Sequence, residues 1–125
     1  MIDHISVGVS ELERAAKFYE ATLAALGLTR LVTRPRTVGF GKAYPEFWIN
    51  LREGMQRVQP ESGVHICLRA KSISEVDAFH AAALATGGAS DGAPGIRPHD
   101  RVRYYAAFVV DPDGNRIEAV TFPQE

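Results

Sequence analysis

Between residues 2 and 9 polar and apolar positions alternate. Asp3, Ile5, Val7 and Val9 fall on one side, and Ile2, His4, Ser6 and Gly8 on the other, the period of a half-buried strand. The period then lengthens. Leu12, Ala15, Ala16, Tyr19, Leu23 and Leu26 gather on one helical face, and Gly27 stands where a helix stops. Ser10-Glu11-Leu12-Glu13 reads as a capping box, with Ser10 as N-cap and Glu13 reaching back. Residues 28–33, 38–42 and 47–51 predict three short strands, punctuated by Pro35 and Pro45. The order is β-α-β-β-β.

The stretch 52–62 is polar and turn-rich, and after it the order starts again. A strand is expected over 63–69, and a second capping box, Ser72-Ile73-Ser74-Glu75, opens a helix running to Thr86 ahead of Gly87-Gly88. Residues 90–98 are rich in Gly and Pro where the first unit has a strand, so an equivalent strand there should be short or irregular. Strands over 103–110 and 115–122 are joined by the turn Asp111-Pro112-Asp113-Gly114. At an offset of 61 residues His4/His65, Ile5/Ile66, Phe18/Phe79, Ala21/Ala82, Leu23/Leu84 and Gly27/Gly88 match without a gap. One supersecondary unit is used twice. The expectation is an α+β domain spanning 1–125, with module one at about 1–54, a linker at about 55–62 and module two at about 63–125.

Bulk properties narrow the function. The net charge is −1 with both signs scattered, so no basic footprint argues for nucleic acid or an anionic membrane. No apolar run approaches the roughly 20 residues that span a bilayer. The alternating pattern begins at once, without a secretory leader, and Cys67 is the only cysteine, so no internal disulfide can form. A cytoplasmic location is the expectation.

Four polar residues interrupt strands that otherwise read as buried: His4 and His65 on the first strand of each unit, Asn50 and Glu118 on the last. A strand histidine or glutamate alone is usually hydrogen-bonded or solvated. At symmetry-related positions the four become a constellation, and two imidazoles with one carboxylate suit a divalent ion such as Zn, Ni, Mn or Fe(II). Trp48, Asn50, Cys67, His99, Tyr104 and Tyr105 are candidates for the pocket wall. Each has an ordinary alternative in the core or on the surface. Arg69, Arg101 and Arg103 could meet an anion. No nucleophile–base triad, phosphate loop or dinucleotide glycine motif occurs.

At these residues the chain resembles the vicinal oxygen chelate superfamily of glyoxalase I, extradiol dioxygenases and bleomycin-resistance proteins. The resemblance is carried by Met1-Ile2-Asp3-His4-Ile5-Ser6-Val7-Gly8-Val9, by Phe18-Tyr19, and by the run from Tyr104 through Asp111-Pro112-Asp113-Gly114-Asn115 to Ile117-Glu118-Ala119-Val120. It implies paired βαβββ modules forming an incomplete eight-stranded barrel, commonly as a homodimer in which a second chain can complete the cavity. It further implies His4, His65 and Glu118 as metal ligands. Asn50 departs from the pattern, because glyoxalase I has a glutamate there that serves as ligand and base. Asparagine cannot abstract a proton. An extradiol dioxygenase would need a histidine near 104–110, and none is present. The resemblance therefore implies a small metal-dependent lyase or isomerase acting on a vicinal-oxygen substrate, or a metal-free drug- or metabolite-binding protein.

Overall fold

The computed structural model describes residues 1–99 and 101–124. Module one contains β1 (Ile5–Val9), α1 (Leu12–Ala24), β2 (Thr29–Thr33), β3 (Thr37–Gly41) and β4 (Pro45–Leu51). Module two contains β5 (Ile66–Arg69), α2 (Ile73–Ala85), β6 (Ala89–Arg97), β7 (Tyr104–Val110) and β8 (Arg116–Thr121), after a 3-10 turn at Pro60–Ser62. Each module is a four-stranded sheet, ordered β1-β4-β3-β2 and β5-β8-β7-β6. The first strand is parallel to the last because the helix carries the chain back across one face, and the other pairs are antiparallel. The fold is α+β, two tandem βαβββ modules.

The alternation seen in the sequence decides which face each helix covers. Val7, Val9, Val38, Phe40, Phe47 and Ile49 are buried under Phe18, Tyr19 and Leu23 of α1. Val109, Ile117 and Ala119 are buried with Val76, Phe79 and Ala83 of α2, and α1 packs on α2, so the modules share one core. Gly88 marks the closeness of that seam, since a Cβ there would fall 2.4 Å from Cε1 of Phe18. The opposite face of each sheet is uncovered by either helix. No helix among the described residues is long and apolar enough to cross a membrane.

Three local expectations meet different outcomes. Ser10 does not cap α1: the N-cap is Glu11, without a side-chain bond, and Ser10 Oγ instead donates to Asp113 Oδ1 at 2.5 Å in the other module. Ser72 does cap α2, its Oγ accepting from Glu75 N at 3.2 Å, while Glu75 Oε1 reaches one residue further back and accepts from Lys71 N at 2.7 Å. The Gly/Pro-rich stretch is irregular as expected but not short. β6 runs nine residues by shifting register between Ser90 and Gly92 and again before Gly95.

The turn at 111–115 does more than reverse the chain. Asp111 accepts the Tyr19 hydroxyl at 2.7 Å, Asn115 Nδ2 at 2.8 Å, and the backbone amides of Asp113 and Asn115 at 2.9 and 2.8 Å. Asn115 Nδ2 also donates to Gly8 O at 2.9 Å. The turn of module two is thereby fastened to α1 and β1 of module one.

Candidate metal centre and ligand recess

Glu118 lies on β8 between Ile117 and Ala119, which face α2, so strand alternation turns its carboxylate to the uncovered face. The side chain is nevertheless only 2% exposed, and its oxygens are both engaged. Oε1 lies 3.1 Å from Nε2 of His65, immediately before β5, and Oε2 accepts the Tyr104 hydroxyl from β7. His65 itself remains 53% exposed, so the pair opens to solvent on the imidazole side. Cys67 is the direct register partner of Glu118, and its thiol is pushed up to about 12, by desolvation first and then by that carboxylate. Burial and the Glu118 hydrogen bond also push the Tyr104 phenol up. Neither group is ionised near neutrality.

The equivalent face of module one carries the other two residues of the constellation. His4, 55% exposed, holds Asp3 through Nδ1 at 2.8 Å and lines an open recess with Ser6, Arg34, Thr37, Trp48 and Asn50. The recess has a volume of about 280 Å³. Asn50 pairs with Gly8 on β1 and with Thr37 on β3, and Thr37 Oγ1 donates to Asn50 Oδ1 at 2.6 Å. The amide is therefore held by its neighbour on β3.

The structure thus brings His65, Glu118, Cys67 and Tyr104 together on one sheet, and His4, Asn50 and Trp48 on the other. It does not bring all four symmetry-related residues together: among the described residues no cluster of three or more His, Cys, Asp or Glu could hold a metal ion. Within one chain the candidate ligands are two half-sites. His99 stacks on Tyr104, with ring centroids 6.0 Å apart and planes at 11°, at the edge of the module-two half-site. Tyr105 faces the other way. Its hydroxyl donates to Asp77 of α2 at 2.6 Å, and its ring packs against the core.

Sequence reasoning did not single out Thr37 or Arg34. Thr37 becomes relevant only through its cross-strand register with Asn50, which no pattern along the chain discloses. The donor chemistry of His4, His65 and Glu118 fits a divalent cation. One chain brings two of the three, His65 and Glu118, together in one place.

Paired βαβββ modules, each with a histidine just before its first strand and polar residues on its uncovered face, define the class of protein. The chain belongs to the Glyoxalase/Bleomycin resistance protein/Dioxygenase superfamily, whose family model matches residues 1–119. A glyoxalase/bleomycin resistance protein from Albidiferax ferrireducens T118 is 33% identical, with a TM-score of 0.83 over 94% of this chain and 95% of that one. A glyoxalase-related enzyme from Fulvimarina pelagi is 18% identical, with a TM-score of 0.72 over 96% of this chain and 86% of that one. The E144Q mutant of glyoxalase I from Zea mays is 22% identical with a TM-score of 0.72. That match covers 94% of this chain but 45% of the maize chain. The last two likenesses are of fold alone. No curated protein sequence matches.

Proposed function

We propose that the protein is a glyoxalase-like metalloenzyme, a lyase or isomerase acting on a small molecule with two neighbouring oxygens. It works as a homodimer in which His65 and Glu118 of one chain meet His4 of a second copy. The observation that carries this reading is the contact of His65 with the buried Glu118 carboxylate on an uncovered sheet face, while the repeat-related His4 occupies the uncovered face of the other module. A buried carboxylate on an open face is costly unless it binds something positive or is well hydrogen-bonded.

A divalent ion such as Zn, Ni, Mn or Fe(II), held by these three residues, would polarise the substrate's oxygens and stabilise negative charge developing on them. The chain's own groups set the remaining roles. Tyr104 donates to Glu118 Oε2 and so fixes which carboxylate oxygen faces His65. Asn50, tied to Thr37, can orient an oxygen but cannot abstract a proton. Tyr104 and Cys67 are protonated near neutrality and do not serve as bases. His99 accepts the backbone amide of Arg101 through Nδ1 at 3.1 Å. That bond favours the tautomer with a proton on Nε2, which suits His99 to donate rather than to abstract.

Metal content tests this reading. Untagged parent protein, measured by mass spectrometry beside Glu118→Gln and His65→Ala, should carry about one ion per chain, and both variants little. A parent that is empty and refuses Zn, Ni, Mn and Fe(II) contradicts it and leaves a metal-free binding protein.

A further inference from the structure

Two arginines on the uncovered faces are set in place by the same construction. In module one, Gly39 of β3 is the register partner of Trp48 on β4. A Cβ at Gly39 would fall 2.9 Å from Cζ3 of Trp48 and 2.9 Å from Cβ of Pro45. Glycine therefore lets the indole lie across β3. Arg34, just past the end of β2, places its guanidinium 5.6 Å from the centroid of that indole, within cation–π range. In module two, Gly92 of β6 is the register partner of Phe108 on β7. A Cβ at Gly92 would fall 3.0 Å from Cδ1 of Phe108 and 3.1 Å from Nη2 of Arg97. The Arg97 guanidinium lies 5.3 Å from the Phe108 centroid.

The order glycine, ring, guanidinium is built twice, on different strand pairs. Among the described residues neither arginine is paired with a carboxylate, whereas Arg14, Arg30, Arg36 and Arg116 all are. A guanidinium laid against a ring keeps N–H groups for a planar, two-oxygen anion. Arg97 already spends one of its own on Ala93 O, whereas the Arg34 guanidinium donates to no group among the described residues. It opens into the recess holding His4, with the hydroxyls of Ser6 and Thr37 beside it.

We propose that Arg34, laid on Trp48, binds the carboxylate of the molecule this site accepts, so that the ligand is a small organic acid held beside His4. The inference rests on the proposed function only in taking the His4 face as the ligand site; it does not require the metal. Binding needs an acid, and its neutral amide should not replace it.

Trp48 is the only tryptophan in the chain, so its emission reports on Arg34 directly. Chelator-treated, untagged protein is titrated with lactate and succinate, each beside its amide, and with inorganic phosphate. A saturable change with at least one acid and none with the amides is expected. Arg34→Gln should weaken that acid on the order of tenfold or more, with Arg34→Lys between the two. Arg36→Gln removes the same charge from an arginine already tied to Glu53 at 3.0 Å, and should bind as the parent does. Equal responses to acid and amide, phosphate as strong as the acids, or parent-like binding by Arg34→Gln would each overturn the proposal. So would silence toward both acids up to about 50 mM, a range well beyond a millimolar ligand. Metal content is read on separate samples. An acid response in a protein that takes no metal supports this inference while removing the metal reading, and a metal-loaded protein silent to both acids overturns this inference alone.

Discussion

Glu118 is held from two sides, with Oε1 against His65 and Oε2 accepting the Tyr104 hydroxyl, while its side chain is buried. Its presence between Ile117 and Ala119 identified it as a polar break on a strand that otherwise reads as apolar, although the ladder register sets Trp48 and not Asn50 at the matching point of the first module. Its partners were less legible. Tyr104 and Tyr105 are adjacent and chemically alike, and only the strand's alternation separates them: one hydroxyl reaches Glu118, the other Asp77 of α2. Trp48 was recognisable as a wall candidate, but its dependence on Gly39 was not, because cross-strand register is set by the whole sheet. Tyr104→Phe should keep the fold and leave one oxygen of a buried carboxylate without its donor. Loss of such a supporting partner typically lowers metal affinity 10–100-fold, and titration against a chelating dye measures it. Unchanged affinity would remove Tyr104 from the support of the site.

At the scale of elements, the periods of the chain were good guides to existence and poor guides to attachment. The Ser10 capping pattern is genuine in composition, yet the hydroxyl is more useful fastening β1 to the turn of module two. The 111–115 turn likewise reads as a reversal and acts as a clasp. Tyr19→Phe removes one of the acceptor contacts of the buried Asp111, and should cost about 1–3 kcal/mol in urea unfolding. Asp111→Asn sets an amide against the donors that now converge on the carboxylate and should cost at least as much. Burial holds the Asp111 carboxyl above its ordinary 3.8 despite those donors. Its unfolded form therefore ionises first, and the stability this group contributes is lost as pH rises from 3.8 through the folded value.

His80 on α2 titrates in the opposite sense. Burial, partly offset by Asp77, holds it below the ordinary 6.5, and Nε2 lies 2.8 Å from Ser90 Oγ. The folded state prefers the neutral ring, so stability should fall as pH drops through 6.5 toward the folded value. Urea midpoints compared above and below that pH should differ less in His80→Gln than in the parent. Equal differences would show that His80 does not carry the dependence.

At the scale of the molecule, the internal repeat foretold two modules, and the sheets and helices bear that out. The repeat sets four polar residues on the first and last strands of the two modules, but it does not by itself bring them to one site. Two copies of a half-site within a chain need not face each other, and here α1 and α2 pack together while the two donor groups occupy separate sheet faces. A homodimer joining module one of one chain to module two of the other is the assembly that would unite them. The direct measurement is metal content in a hybrid dimer. His4→Ala and His65→Ala, each expected to be empty as homodimers, are co-produced with distinguishable non-histidine tags and the mixed dimer is isolated. If each site draws on both chains, the hybrid regains one intact set of ligands and should bind about one ion per dimer. A hybrid as empty as its two parents, beside a wild-type dimer that is loaded, would contradict the shared site.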